Sequence, residues 1–137
     1  MRTVALLPLL AGATLLSGCA TLAPAACPVG QSPGHVVQLV FGRKIGDQVG
    51  VSDADFARFV DEELTPRFPE GLTVLDAAGQ WRSTAGPIVR EPSKVVILAL
   101  PGRAGGEDRV GAARAAYKRR FSQEAVMVLT QPACLGF

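Results

Sequence analysis

Apolar and polar positions first fall into a readable pattern at His35. The run from His35 to Phe41 (HVVQLVF) is β-branched and aromatic and predicts a strand. Ser52 followed by Asp55 makes an S-x-x-D start resembling a capping box. Phe56, Phe59, Val60 and Leu64 then recur at i, i+3, i+4 and i+8, the spacing of one helical face. Thr65-Pro66 and Phe68-Pro69 end that helix, because a residue before proline avoids the helical region. Leu72 to Leu75 predicts a short second strand, Asp76 to Gly79 a turn, and Gln80-Trp81-Arg82 a resumption of the chain. Lys94 to Leu100 (KVVILAL) predicts a third strand. Glu107 to Phe121 predicts a second helix with a stripe of Val110, Ala113, Tyr117 and Phe121, and Ala125 to Thr130 a last strand.

The order β-α-β-β-α-β predicts an α+β protein of the ferredoxin-like kind, a two-layer sandwich. Its four-stranded antiparallel sheet runs in the order 4-1-3-2, with two helices on one face. Residues 76–93 form a long, partly irregular hairpin between the second and third strands. A half-solvated antiparallel sheet should alternate apolar with polar residues. Here both faces are apolar: Val37, Leu39 and Phe41 stand opposite Val36 and Val40 with Gln38; Val95, Ile97 and Ala99 opposite Val96, Leu98 and Leu100; and Val126 and Val128 opposite Ala125, Met127 and Leu129. With both helices on one side, something must cover the other, because a bare apolar patch of several hundred Å² is unusual on a monomer. The 76–93 hairpin, a second copy and a ligand are the three covers open to it. A sheet-to-sheet homodimer like that of dimeric α+β barrels is preferred.

Upstream of the domain, Arg2 precedes an apolar run from Val4 to Leu16 that Pro8 interrupts. This run is shorter than the roughly 20 residues of a membrane-crossing helix and reads as a secretory signal. Leu16-Ser17-Gly18-Cys19 resembles the bacterial lipobox, in which the cysteine is acylated, palmitate being one such chain, and the polypeptide is cut before it. That resemblance makes residues 1–18 a lipoprotein signal peptide and residues 19–34, rich in Ala, Pro, Gly and Ser, a lipidated tether. A single domain follows over 35–134. Several acyl chains, each buried methylene contributing roughly 0.8 kcal/mol, hold a protein durably at a membrane. By the same resemblance, Ala20 after the lipidated Cys19 favours the periplasmic side of the outer membrane.

Composition changes this picture little. The chain has 137 residues, 48% of them hydrophobic, and a net charge of +2. One domain fits, and disorder and a strong nucleic-acid-attracting field are excluded. Of three cysteines, lipidation of Cys19 leaves Cys27 and Cys134, an even pair for an oxidising compartment. A Cys27–Cys134 disulfide near the two ends of the domain would contribute roughly 4–5 kcal/mol in the chain-entropy model. Two free thiols or a metal site are the alternatives, and a lone His35 beside two separate cysteines makes a poor zinc set. No metal or cofactor is expected.

The segment Thr65-Pro66-Arg67-Phe68-Pro69-Glu70-Gly71-Leu72-Thr73-Val74, then Gly79-Gln80-Trp81-Arg82, then Arg90-Glu91-Pro92-Ser93-Lys94, resembles a family of small bacterial secreted and lipoprotein domains known only as a domain of unknown function. The resemblance spans about residues 35–131. It implies location and fold, and no activity.

Candidate chemistry gathers in Arg67, Gln80, Trp81, Arg90, Glu91 and Lys94. An Arg-Trp-Arg group beside a glutamate suits a carboxylate or another anion through bidentate hydrogen bonds and stacking. The plainer reading has Trp81 plugging the end of the core and the charges forming structural ion pairs. Asp76 with Glu91 would make a carboxylate pair for acid–base work, though Asp76 is more simply a turn residue. Pro101 to Gly106 lacks the spacing and lysine of a phosphate loop, and Glu107 and Asp108 repel phosphate at the helix start. The reading that results is a lipid-anchored envelope module binding a partner or small molecule through the open sheet face. The competing reading is a small enzyme of the dimeric α+β barrel or tautomerase-like type with an Arg-assisted acid–base step.

Overall fold

The structure, a computed structural model, describes residues 26–82, 84, 86–102 and 106–137. The segment expected to be a signal peptide, Cys19 and the start of the expected tether lie outside the described residues, as do Arg103 to Gly105 of the loop before the second helix.

Four long strands make one antiparallel sheet: β1 (Ser32–Gly42), β4 (Leu72–Arg82), β5 (Ile88–Pro101) and β6 (Met127–Leu135). Between β1 and the first helix the chain adds a small hairpin, β2 (Lys44–Ile45) and β3 (Gln48–Val49). It turns at Gly46, whose φ of 61° suits a residue with no side chain. The sheet therefore reads β4-β5-β1-β6 in a six-strand count, which differs from the expected numbering by the unforeseen hairpin. Taken alone, the long strands, numbered one to four along the chain, stand 4-1-3-2 from the β6 edge.

Helix α1 (Asp53–Phe59) starts at a full capping box. The Asp55 amide donates to Ser52 Oγ at 3.1 Å, and the Ser52 amide donates to Asp55 Oδ2 at 3.3 Å. The helix widens into one π-helical turn over Val60–Leu64, closed by the Thr65 amide on the Val60 carbonyl at 2.8 Å, and stops before Pro66. Helix α2 (Glu107–Phe121) buries Val110, Ala113, Ala116, Tyr117 and Phe121. Both helices pack on the face of the sheet that carries Val37, Leu39, Phe41, Val96, Leu98 and Leu100. Aromatic rings fill the centre edge to face, with Phe41 and Tyr117 centroids 4.6 Å apart and Phe59 and Tyr117 5.0 Å apart. Tyr117 donates its hydroxyl proton to the Gly42 carbonyl at 2.8 Å, and its burial drives its pKa upward.

Three expectations need correction. Asp76 to Gly79 form no turn, for β4 runs unbroken to Arg82 and pairs with β5 as far as Arg82↔Ile88. Cross-strand partners outweigh the turn propensity of those residues, since Asp76 lies opposite Lys94 and forms an ion pair with it, and the small Ala77 opposite Ser93. The 76–93 segment is thus a regular hairpin that continues the sheet and does not fold back over it. The first strand also begins before residue 35, and the last continues past Thr130. β1 starts at Ser32, and β6 reaches Leu135 because Pro132 falls on an edge strand, where a missing N–H is tolerated.

Cys27 and Cys134 are disulfide-bonded, with Cα atoms 5.5 Å apart. Pro33 lies opposite Cys134 on the neighbouring strands. A turn from Pro28 to Gln31, with Gly30 at φ 83°, brings Cys27 back to that end of the sheet.

Candidate functional site

The pleat of the sheet decides which candidate residues can meet. Residues paired across strands share a face, and neighbours along a strand do not. Trp81, opposite Val89, and Glu91, opposite Gly79, stand on the open face. Gln80, opposite Arg90, and Lys94, opposite Asp76, stand on the helix-side face, although Gln80 also borders the cleft that Trp81 and Glu91 line. The expected Asp76–Glu91 carboxylate pair is split for the same reason.

Arg67 is farther off. It lies in the loop after the π turn, at the end of β4 remote from Trp81, and its guanidinium pairs with Glu63 at 2.6 Å. Its carbonyl accepts from Arg109, which also holds Glu70 at 3.0 Å. Gln80 and Arg90 are exposed. The Arg-Trp-Arg anion site is therefore not assembled, nor does Trp81 plug the core, for it is 42% exposed.

Lys94 belongs to a charge network in which the two cations are buried and the two carboxylates exposed. Its ammonium pairs with Asp53 at 2.6 Å and with Asp76, while Arg43, also buried, holds Asp53 at 3.1 Å and donates to the Val51 carbonyl at 2.8 Å. The hydrogen bonds that Lys94 donates to Asp53 and Asp76 raise its pKa, and the one that Asp53 accepts lowers that of Asp53. Two cations and two anions offset one another there, so the network ties α1 to the sheet. His35 lies on β1 with Nδ1 3.3 Å from the Gly102 carbonyl.

Trp81 and Glu91 belong to a different arrangement. Glu91 Oε1 accepts from the Trp81 indole at 2.8 Å, and Oε2 accepts from the Lys44 amide at 3.1 Å. Around them lies a cleft of about 500 Å³. Val40, Gly42, Val89 and Met127 line it on the sheet side, and the β2 turn (Lys44 to Gly46) and Ser122 to Ala125 frame it. Gln123 Nε2 donates to the Lys44 carbonyl at 2.6 Å, joining the two parts of the rim. A Cβ at position 42 would lie 2.6 Å from Glu91 Oε2, so any side chain there would push the carboxylate aside.

From Val40 and Met127 in the cleft the open face continues through Val36 and Gln38 on β1, Thr73 and Leu75 on β4, Val95, Ile97 and Ala99 on β5, and Leu129 and Gln131 on β6. None is charged. Leu75, Met127 and Leu129 are 47%, 56% and 39% exposed. Val40, Met127 and Leu129 were legible from strand alternation. Lys44 and Gln123 were not, because they sit on connections whose course only the fold reveals. The one signal for the β2–β3 turn was Gly46-Asp47, a two-residue hairpin pattern.

The backbone plan is shared by solved structures. A phage SAM lyase in complex with S-methyl-5′-thioadenosine matches with a TM-score of 0.61 at 16% identity, over 84% of this chain and 96% of that one. A phage SAM lyase in its apo state matches at 0.57 and 16% identity, over 79% and 91%. CutA from Synechococcus elongatus matches at 0.50 and 7% identity, over 77% and 80%. At these identities the likeness is one of fold, α+β with a four-stranded antiparallel sheet and two helices. No curated protein matches the chain. A family model described as a protein of unknown function, DUF3574, matches residues 37–137, and the chain belongs to that family.

Proposed function

We propose that the protein is a lipid-anchored binding module of the cell envelope that works through the open face of its sheet. One observation carries the reading: a sheet face opposite both helices, largely apolar and uncharged apart from Glu91, leads into a cleft of about 500 Å³ beside Trp81. That volume is in the range of small-molecule sites, which are mostly apolar with a few placed polar groups. The lipobox at Cys19 supports the anchor, and the Cys27–Cys134 bond is of the kind that persists in an oxidising compartment such as the periplasm. The competing enzyme needs Arg67, Arg90 and Glu91 around one substrate. Their separation removes the feature that motivated it.

Outside the cleft, a second copy is the cover that suits the face. An isologous contact sets the same patch against itself, and a patch with no charged side chain meets its own copy without repulsion. The cleft is tested by titrating the protein with 2-phenylethanol and following Trp81, the single tryptophan of the chain. Saturable quenching that Val40→Asp abolishes is expected. A response that never saturates, or that survives the substitution, contradicts the reading.

A further inference from the structure

Resting on that reading, we propose that the cleft selects a cationic ligand, an organic ammonium on an aromatic or branched apolar body, with Glu91 receiving the charge. Among the described residues three carboxylates are half-buried: Asp55, Glu63 and Glu91. Asp55 has Arg58 at 3.7 Å and Glu63 has Arg67 at 2.6 Å. Among the described residues Glu91 has no cation within 4.0 Å, and its two partners, an indole N–H and a backbone amide, are neutral.

Each carboxylate oxygen can accept two hydrogen bonds, so a single neutral donor on each leaves capacity for a charged one. The bond from Trp81 fixes the carboxylate beside an indole ring, whose face attracts cations. The bare backbone at Gly42 gives the carboxylate its place. Charged residues lining the cleft are Lys44, Glu91 and Glu124, a net negative set on a chain whose total charge is +2. An anion is disfavoured there, and the apolar remainder of the wall suits a hydrocarbon body.

Three probes of one shape separate the terms: phenethylammonium, 2-phenylethanol and phenylacetate, each titrated into the purified full chain with Trp81 emission as readout. The cation is expected to bind at least about tenfold tighter than the alcohol, and phenylacetate weaker than both. Glu91→Gln brings the cation down to the affinity of the alcohol. Gly42→Ala displaces the carboxylate and does the same with residue 91 unchanged, and circular dichroism confirms that both variants fold. Equal affinities for the three probes, or a cation preference that survives Glu91→Gln, overturn the inference and leave the cleft a binding site. Absence of saturable quenching by any probe overturns both.

Discussion

Single residues set the acid and alkaline limits of the fold. Asp53 has its pKa lowered, first by the hydrogen bond from Lys94 and then by the Arg43 charge. A carboxyl depressed in the folded state contributes stability that is present above its ordinary value of 3.8 and lost as pH falls toward the folded value. Lys94 is raised, so its contribution is present below 10.5 and lost as pH rises through the folded value. Melting temperature measured against pH should therefore fall at both extremes, and Asp53→Asn should flatten the acid limb. An acid limb unchanged in that variant would remove the network from the account. Tyr117→Phe deletes the bond to the Gly42 carbonyl and should cost about 1 kcal/mol in urea denaturation. No loss would mean that the hydroxyl is not needed to hold β1 beneath Glu91.

Elements respond to their ends and to their partners. Ser52→Ala removes one half of the α1 capping box and should destabilise the domain by about 1 kcal/mol, read as a shift in the denaturation midpoint. Phe41→Ala takes out a ring that touches Phe56, Phe59 and Tyr117, and should cost about 3–5 kcal/mol. Most elements were legible because their periods were clean, such as the 3.6-residue stripe of Val110, Ala113, Tyr117 and Phe121 and the alternation through Val95 to Leu100. Asp76 to Gly79 misled because turn propensity is local, whereas the pairing of Asp76 with Lys94 is not. The candidate site was half legible for a related reason. Its residue types were visible, but the pleat that parts Trp81 and Glu91 from Arg90 and Lys94 depends on β4 being continuous. Arg67 left the group because the chain between it and Trp81 is extended strand, roughly 3.3 Å per residue.

At the scale of the molecule, the disulfide joins residues 107 apart and closes nearly the whole domain into one loop. Replacing both cysteines with serine should lower stability by roughly 4–5 kcal/mol in the chain-entropy account, measured by denaturation at neutral pH. Cys19→Ala should move the protein from the membrane fraction to the soluble one, and a variant that stays with the membrane would refute the anchor. The central claim is that the open sheet face is occupied in its working setting. Met127 stands on that face, and the only other methionine is Met1 at the start of the sequence. The direct measurement is the rate of Met127 oxidation by hydroperoxide, followed by mass spectrometry in intact envelopes and in dilute purified protein. Oxidation several-fold slower in the envelope is the predicted result, and equal rates in both settings would contradict it.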